Sequence, residues 1–109
     1  MDRIKNFSSF YKFYLSEHSN KTCRLLHFIG TSLVFVFIFL ALYYEKTLFW
    51  ILVPISGYGF AWIGHVLFEK NKPATFKYPL WSLMSDFKMY FHILSGKIGI
   101  DNSKDHNVI

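Results

Sequence analysis

The sequence predicts an all-α membrane protein built around a transmembrane helical hairpin. Three observations carry that reading. Two apolar runs, 25–44 (LLHFIGTSLVFVFIFLALYY) and 48–68 (LFWILVPISGYGFAWIGHVLF), contain no Lys, Arg, Asp or Glu. A helix of about 20 residues rises ~30 Å, the thickness of a bilayer's hydrocarbon core. Only Glu45-Lys46-Thr47 separates the runs, a link short enough to force antiparallel helices. Finally, 52% of the 109 residues are hydrophobic and 21% are aromatic, more apolar surface than a water-soluble chain of this size can hide.

The elements follow in order. An amphipathic interfacial helix is expected over about residues 6–16, where Phe7, Phe10, Tyr11 and Tyr14 recur at helical spacing and Lys12 lies elsewhere on the wheel. The first apolar run begins too far in, and is too long, for a cleaved signal peptide. Tyr43, Tyr44, Phe49 and Trp50 flank the hairpin tip as an aromatic belt would. A last helix is expected over 79–95, with Pro79 suited to its first turn and Gly96 to its stop. Its apolar stripe is Leu80, Leu83, Met84, Phe87, Phe91 and Leu94; Ser82, Ser85, Asp86 and Met89 lie opposite, with His92 towards the edge. Asp86 and Lys88 near its middle argue for an interfacial or packed helix rather than a third span. The polar tail 101–109 is expected to fray. Residues 1–109 thus read as one membrane domain.

Basic residues set the orientation. Arg3, Lys5, Lys12, Lys21 and Arg24 precede the hairpin, Lys70, Lys72, Lys77 and Lys88 follow it, and only Lys46 sits at its tip. By the positive-inside rule both termini are cytoplasmic. The net charge of +5 flanks membrane spans rather than lining a groove, which argues against nucleic acid. The aromatic content excludes disorder. A single cysteine, Cys23, excludes a disulfide framework and a thiolate zinc finger. Gly57-Tyr58-Gly59 has no Gly-Lys-Ser pattern after it and reads as a packing device, not a phosphate loop.

The chemistry gathers at the cytoplasmic end. His27 and His65 are equidistant in sequence from Lys46, so equal helical rise puts both about 28 Å from the tip. The same counting sets Gly30 near Trp62, Thr31 near Ala61 and Cys23 near Glu69. His27, Gly30, Thr31 and Val34 share one face; Gly57, Ala61 and His65, with Gly64 adjacent, form a small-residue stripe on the other helix. Glu69 lies one turn beyond His65 and is placed to add a carboxylate. A bend at Ser19-Asn20 would fold His18 over the hairpin mouth, and Asp86 or His92 is placed to close the group from the last helix. Nitrogen and carboxylate ligands without thiolates suit iron, manganese or zinc, and a two-His-one-carboxylate set suits ferrous iron and dioxygen. The alternative for His27 and His65 is a polar contact between packed helices. His92 and His106 singly read as interfacial hydrogen-bonders, and Glu69 beside Lys70 as a solvated helix end.

The segments FYKFYLSEHSNKTCRLLHFIGT and GYGFAWIGHVLFEKNKPATFKYPLWSLMSDFKM resemble the small integral-membrane family typified by the yeast 2-hydroxy fatty acid dioxygenase. The resemblance runs over about residues 7–96. It rests on EH followed nine residues later by H-x-x-G-T, then G-H-x-x-x-E-x-N-x-P-A-x-F, then S-L-x-x-D. It implies an iron(II)-dependent enzyme of an internal membrane, a bacterial inner membrane or the endoplasmic reticulum, that shortens 2-hydroxy fatty acids by one carbon with dioxygen. It further implies His18, His27 and His65 as essential histidines and metal ligands, with Glu69 and Asp86 as further motif acids. Asn71, Pro73 and Ala74 match as architectural positions. Arg24 or Lys70 is expected to hold the substrate carboxylate at the membrane surface, with the acyl chain among Phe28, Phe35, Phe60 and Phe68 or along the lipid boundary. The alternatives are a non-catalytic helical module, with structural histidines or as a homo-oligomer, and a zinc-dependent lipid-modifying enzyme.

Overall fold

The computed structural model describes residues 4–72 and 77–108. Among these it contains α1 (Phe7–Ser16), α2 (Lys21–Tyr44), α3 (Thr47–Ile63) and α4 (Pro79–Leu94). The last turn of α3 runs on as a π-helix over Gly64–Glu69, and a 3-10 turn over Asp105–Asn107 follows α4. The expected elements are present. Pro73 and Ala74 lie outside the described residues.

The hairpin forms for local reasons. Asn20 caps α2, its side chain accepting from the Thr22 and Cys23 amides, which satisfies donors that the first turn leaves free. Glu45 ends α2 in the left-handed region at φ 55°, and Lys46 carries the chain into α3. Cys23, His27, Gly30, Thr31, Val34 and Ala41 are buried on α2, facing Ala61, Gly64 and His65. Two glycines permit the close approach. A Cβ on Gly30 would lie 2.7 Å from the Ser56 carbonyl oxygen, and one on Gly64 would lie 2.9 Å from Cys23 Sγ.

The seam is the expected one, but its register drifts. Val34 faces Gly57 where equal counting predicts Tyr58. Gly30 faces Ser56 and Phe60 rather than Trp62, and Cys23 faces Gly64 rather than Glu69. Glu69 consequently projects beyond Cys23 to the start of α2.

α1 departs from its expected interfacial placement. Phe10, Tyr11, Tyr14 and Leu15 are buried in a core with Tyr78, Met89 and Ile98. The aromatic stripe therefore covers protein, not headgroups. Asn6 caps this helix, its Oδ1 accepting from Ser9 N at 2.8 Å. The tail is likewise tied down rather than frayed, because Asp105 is ion-paired to the buried Arg24 at 2.7 Å.

α4 is turned inside out relative to a soluble amphipathic helix. Leu80, Leu83, Met84, Phe91 and Leu94 are exposed, whereas Ser82, Ser85 and Met89 are buried. It packs on α2 through Phe28–Tyr90 and Phe35–Phe87 ring contacts, with Ser32 Oγ and the Tyr90 hydroxyl 3.0 Å apart. Polar groups face inward when the surroundings are apolar. The hairpin shows the same pattern: 28% of the apolar stretch of α2 and 22% of that of α3 is buried, too little for the core helices of a soluble protein. These features suggest a membrane protein.

The inward face of α4 carries a defect. Ser82 and Ser85 bury hydroxyls that have no hydrogen-bond partner among the described residues. An unsatisfied buried hydroxyl opposes folding, so Ser85→Ala is expected to raise stability by about 1 kcal/mol. Thermal unfolding in detergent measures this; a fall in midpoint would reveal a partner for Ser85 Oγ.

Candidate metal centre

Three imidazoles meet at the end of the hairpin away from its tip. His27 comes from the seam of α2, His65 from the π-helical turn, and His18 from the link between α1 and α2. All three are buried. His18 Nε2 lies 3.0 Å from His27 Nε2 and 2.9 Å from His65 Nε2. The His27 and His65 ring centroids are 5.1 Å apart, so the matched depth read from sequence produces a real juxtaposition. Single π-turns of this kind often mark functional positions; here the turn carries His65.

The hydrogen bonds at the far side of each ring fix the tautomers. His18 Nδ1 donates to the Tyr14 carbonyl at 2.6 Å, and His27 Nδ1 to the Cys23 carbonyl at 3.0 Å. His65 Nδ1 lies 2.6 Å from Asn71 Oδ1. The Asn71 amide is oriented because its Nδ2 donates to Glu17 Oε2 at 2.6 Å, so Oδ1 accepts. Each ring therefore carries its proton on Nδ1, and three Nε2 lone pairs point at one another.

Three lone pairs at such separations repel unless a cation lies among them. The donor set fits one. Two nitrogens at right angles on an ion with bonds of about 2.1 Å are about 3.0 Å apart, and the two shorter separations here match that span. All three donor atoms lie within 4.8 Å of one another. Burial, reinforced by His27 and His65, holds the His18 pKa well below its usual value, so His18 is neutral and free to donate its lone pair. Backbone and amide acceptors behind ligating imidazoles are the usual supports of metal sites.

The candidate carboxylates lie outside this group. Glu69 accepts from the Asn20 amide and from Ser19 Oγ, where it complements the positive end of α2. The register drift of the hairpin takes it there. Asp86 accepts a hydrogen bond from the Tyr14 hydroxyl. The Tyr14 ring in turn stacks on His18 with centroids 4.0 Å apart. Burial pushes the Asp86 carboxyl up to about 7, against the opposing pull of Tyr14. Of the expected ligands, the three imidazoles come together and the two carboxylates do not join them; Asp86 stands behind one of the rings.

A family model described as 2-hydroxy-palmitic acid dioxygenase Mpo1-like matches residues 4–98. The chain belongs to the Mpo1-like family. No curated protein and no solved structure matches it significantly. The matched stretch of this Mpo1-like chain contains all three clustered histidines, together with Tyr14, Asn71 and Asp86.

Other expected site residues do different work. Arg24 is fully buried, and its guanidinium binds Asp105 and the carbonyls of Leu15, His18, Gly99 and Asp101. It has no spare donor face for a substrate carboxylate. Lys70 is exposed, capping the π-turn at φ 58°. His92 bonds the Tyr11 hydroxyl through Nδ1 at 2.8 Å and takes no part in the cluster, as the simpler reading of it holds. Phe28 and Phe35 are engaged with α4 and do not line the space beside His27.

Sequence reasoning missed Tyr14 as a support of the cluster and placed Asn71 only as an architectural motif position, not as the partner of His65. Tyr14 lies one helical turn before His18, and Asn71 lies just past the π-turn; their i, i+4 and i, i+6 spacings to histidine were the available signals. Asn71→Ala is expected to free the His65 ring and weaken metal binding by about 10–100-fold. Titration of metal-free protein with ferrous iron or zinc checks it; unchanged affinity would show that Asn71 does not orient the ring.

Proposed function

We propose that this Mpo1-like protein is a non-haem iron(II) dioxygenase of the membrane that shortens a 2-hydroxy fatty acid by one carbon. One observation carries the reading: three neutral, buried imidazoles converge with their lone pairs unpaired. A purely structural cluster would place protons between the rings. Iron, when bound by His18, His27 and His65, supplies the redox chemistry that dioxygen requires and that zinc lacks.

The chain's own residues do the rest. Tyr14, Cys23 and Asn71 hold the three Nδ1 protons and keep the rings aimed. Asp86, near neutral pKa, is positioned to hold or release a proton beside the cluster. The distribution of lysines supports cytoplasmic termini, which puts the histidines at the cytoplasmic side of an internal or inner membrane. A substrate acid would then present its carboxylate at the headgroup level and its chain to the bilayer.

Anaerobic purification followed by elemental analysis is the test, with oxygen uptake on 2-hydroxypalmitate. Stoichiometric iron and an odd-chain product are expected. A protein that binds no transition metal would sink the proposal. Three imidazoles also suit a zinc lipid hydrolase; bound zinc without oxygen uptake would establish that reading instead.

A further inference from the structure

A cavity of about 180 Å³ lies beside His27, between α2, α3 and α4. It exists because α3 and α4 each pack on α2 without an extensive contact of their own. Pro54 lies inside α3 and borders the cavity; its ring removes a backbone donor there and keeps the helix from closing tightly.

The cavity is chemically polarised. His27, Thr31 and Asp86 line it and supply its polar groups at the metal-centre end. Val34, Val53, Leu83 and Phe87 form apolar walls further along. From His27 to Val34 the walls run about 10 Å along α2. Tyr58 and Leu83, on opposite sides of the gap, are both exposed on the lipid-facing surface, so the opening is lateral.

We propose that this gap is the acyl channel of the site, entered sideways from the bilayer, and that Asp86, aligned by Tyr14, anchors the 2-hydroxyl at its inner end. The inference rests on the 2-hydroxy fatty acid reading above. The occupant is argued from shape and polarity: an apolar slot that opens to lipid and ends in a hydroxyl, an imidazole and a carboxyl group fits an amphiphile with a polar head and one unbranched tail. The slot covers only the head-proximal part of a long chain. The remainder lies between the helices and lipid, which lets a small protein accept a long acid. Tyr14 donates to Asp86 Oδ1 and fixes the carboxyl group on the cavity wall.

The test uses the full chain in lipid nanodiscs, under nitrogen, with and without ferrous iron. The probe is 2-hydroxypalmitate carrying a diazirine near its head, and adducts are mapped by mass spectrometry. Adducts are expected within 53–58 and 83–87, displaced by unlabelled 2-hydroxypalmitate. Filling the slot with Gly57→Leu, or blocking the mouth with the exposed Leu83→Trp, is expected to lower labelling about tenfold. Asp86→Ala is expected to keep labelling by the matching palmitate probe but to lose about tenfold of the preference for the 2-hydroxy form, with Tyr14→Phe losing part of it. Adducts on the outer face of α2, or adducts that excess 2-hydroxypalmitate does not displace, would show that the gap holds only bilayer lipid. Equal labelling by both probes in the unaltered chain would overturn the role of Asp86. Correct labelling without oxygen uptake would sink the dioxygenase reading and leave the channel; oxygen uptake with labelling elsewhere would do the reverse.

Discussion

His18→Ala is expected to abolish metal binding while leaving the α2–α3 hairpin folded. His18 belongs to neither long helix, and its Nε2 is the atom close to both other imidazoles. The hairpin seam is closed by residues that do not depend on it, chiefly Gly30 against Ser56 and Gly64 against Cys23. Loss of a supporting hydrogen bond alone weakens metal sites by about 10–100-fold, so loss of a donor atom should exceed the upper end of that range. Elemental analysis reads the metal, and circular dichroism in detergent reads the helices. A cluster that serves only to tie helices would respond the other way: the melting point would fall and the metal content would not change. His65→Ala should match His18→Ala in metal loss, which separates a shared centre from two unrelated histidines.

The hairpin was legible because charge-free runs and a short link leave few alternatives. The pairing of His27 with His65 followed from counting out from Lys46, and the bend that brings in His18 from Ser19-Asn20. Counting failed where geometry accumulates error. The same arithmetic that placed the histidines put Glu69 beside Cys23, yet a slow drift in register carries that carboxylate to the cap of α2. Periodicity also cannot say which side of a helix faces protein. The stripe on α4 was read correctly as a stripe, but in an apolar environment Ser82 and Ser85 turn inward and Leu80 and Leu94 turn out. For α1 the opposite holds: its aromatic residues find a protein core in Tyr78, Met89 and Ile98, partners that no local pattern announces. Asp105 was unreadable for the same reason. It lies in a polar tail and acquires meaning only from a buried arginine distant in the chain.

That arginine yields the largest expected effect on stability. Arg24→Met should cost about 3–5 kcal/mol, the usual consequence of breaking a buried ion pair from one side. Set against a total stability of about 5–15 kcal/mol, this would loosen the layer formed by α1, α4 and the tail. Arg24 Nε donates to the His18 carbonyl at 2.9 Å, and the fork of the guanidinium holds both Asp105 oxygens at 2.7 and 3.1 Å. Its removal therefore strands a carboxylate and releases the backbone that aims His18, so metal affinity should fall with stability. Arg24→Lys should rescue little, because an ammonium cannot reproduce the bidentate fork. Asp105→Leu introduced into Arg24→Met should recover part of the loss by removing the stranded charge, whereas a substrate-binding arginine would show no such coupling. The measurement is chemical unfolding of the single and double variants alongside the KM for 2-hydroxypalmitate. An Arg24→Met protein of unaltered stability with a raised KM alone would return Arg24 to the substrate and remove it from the architecture.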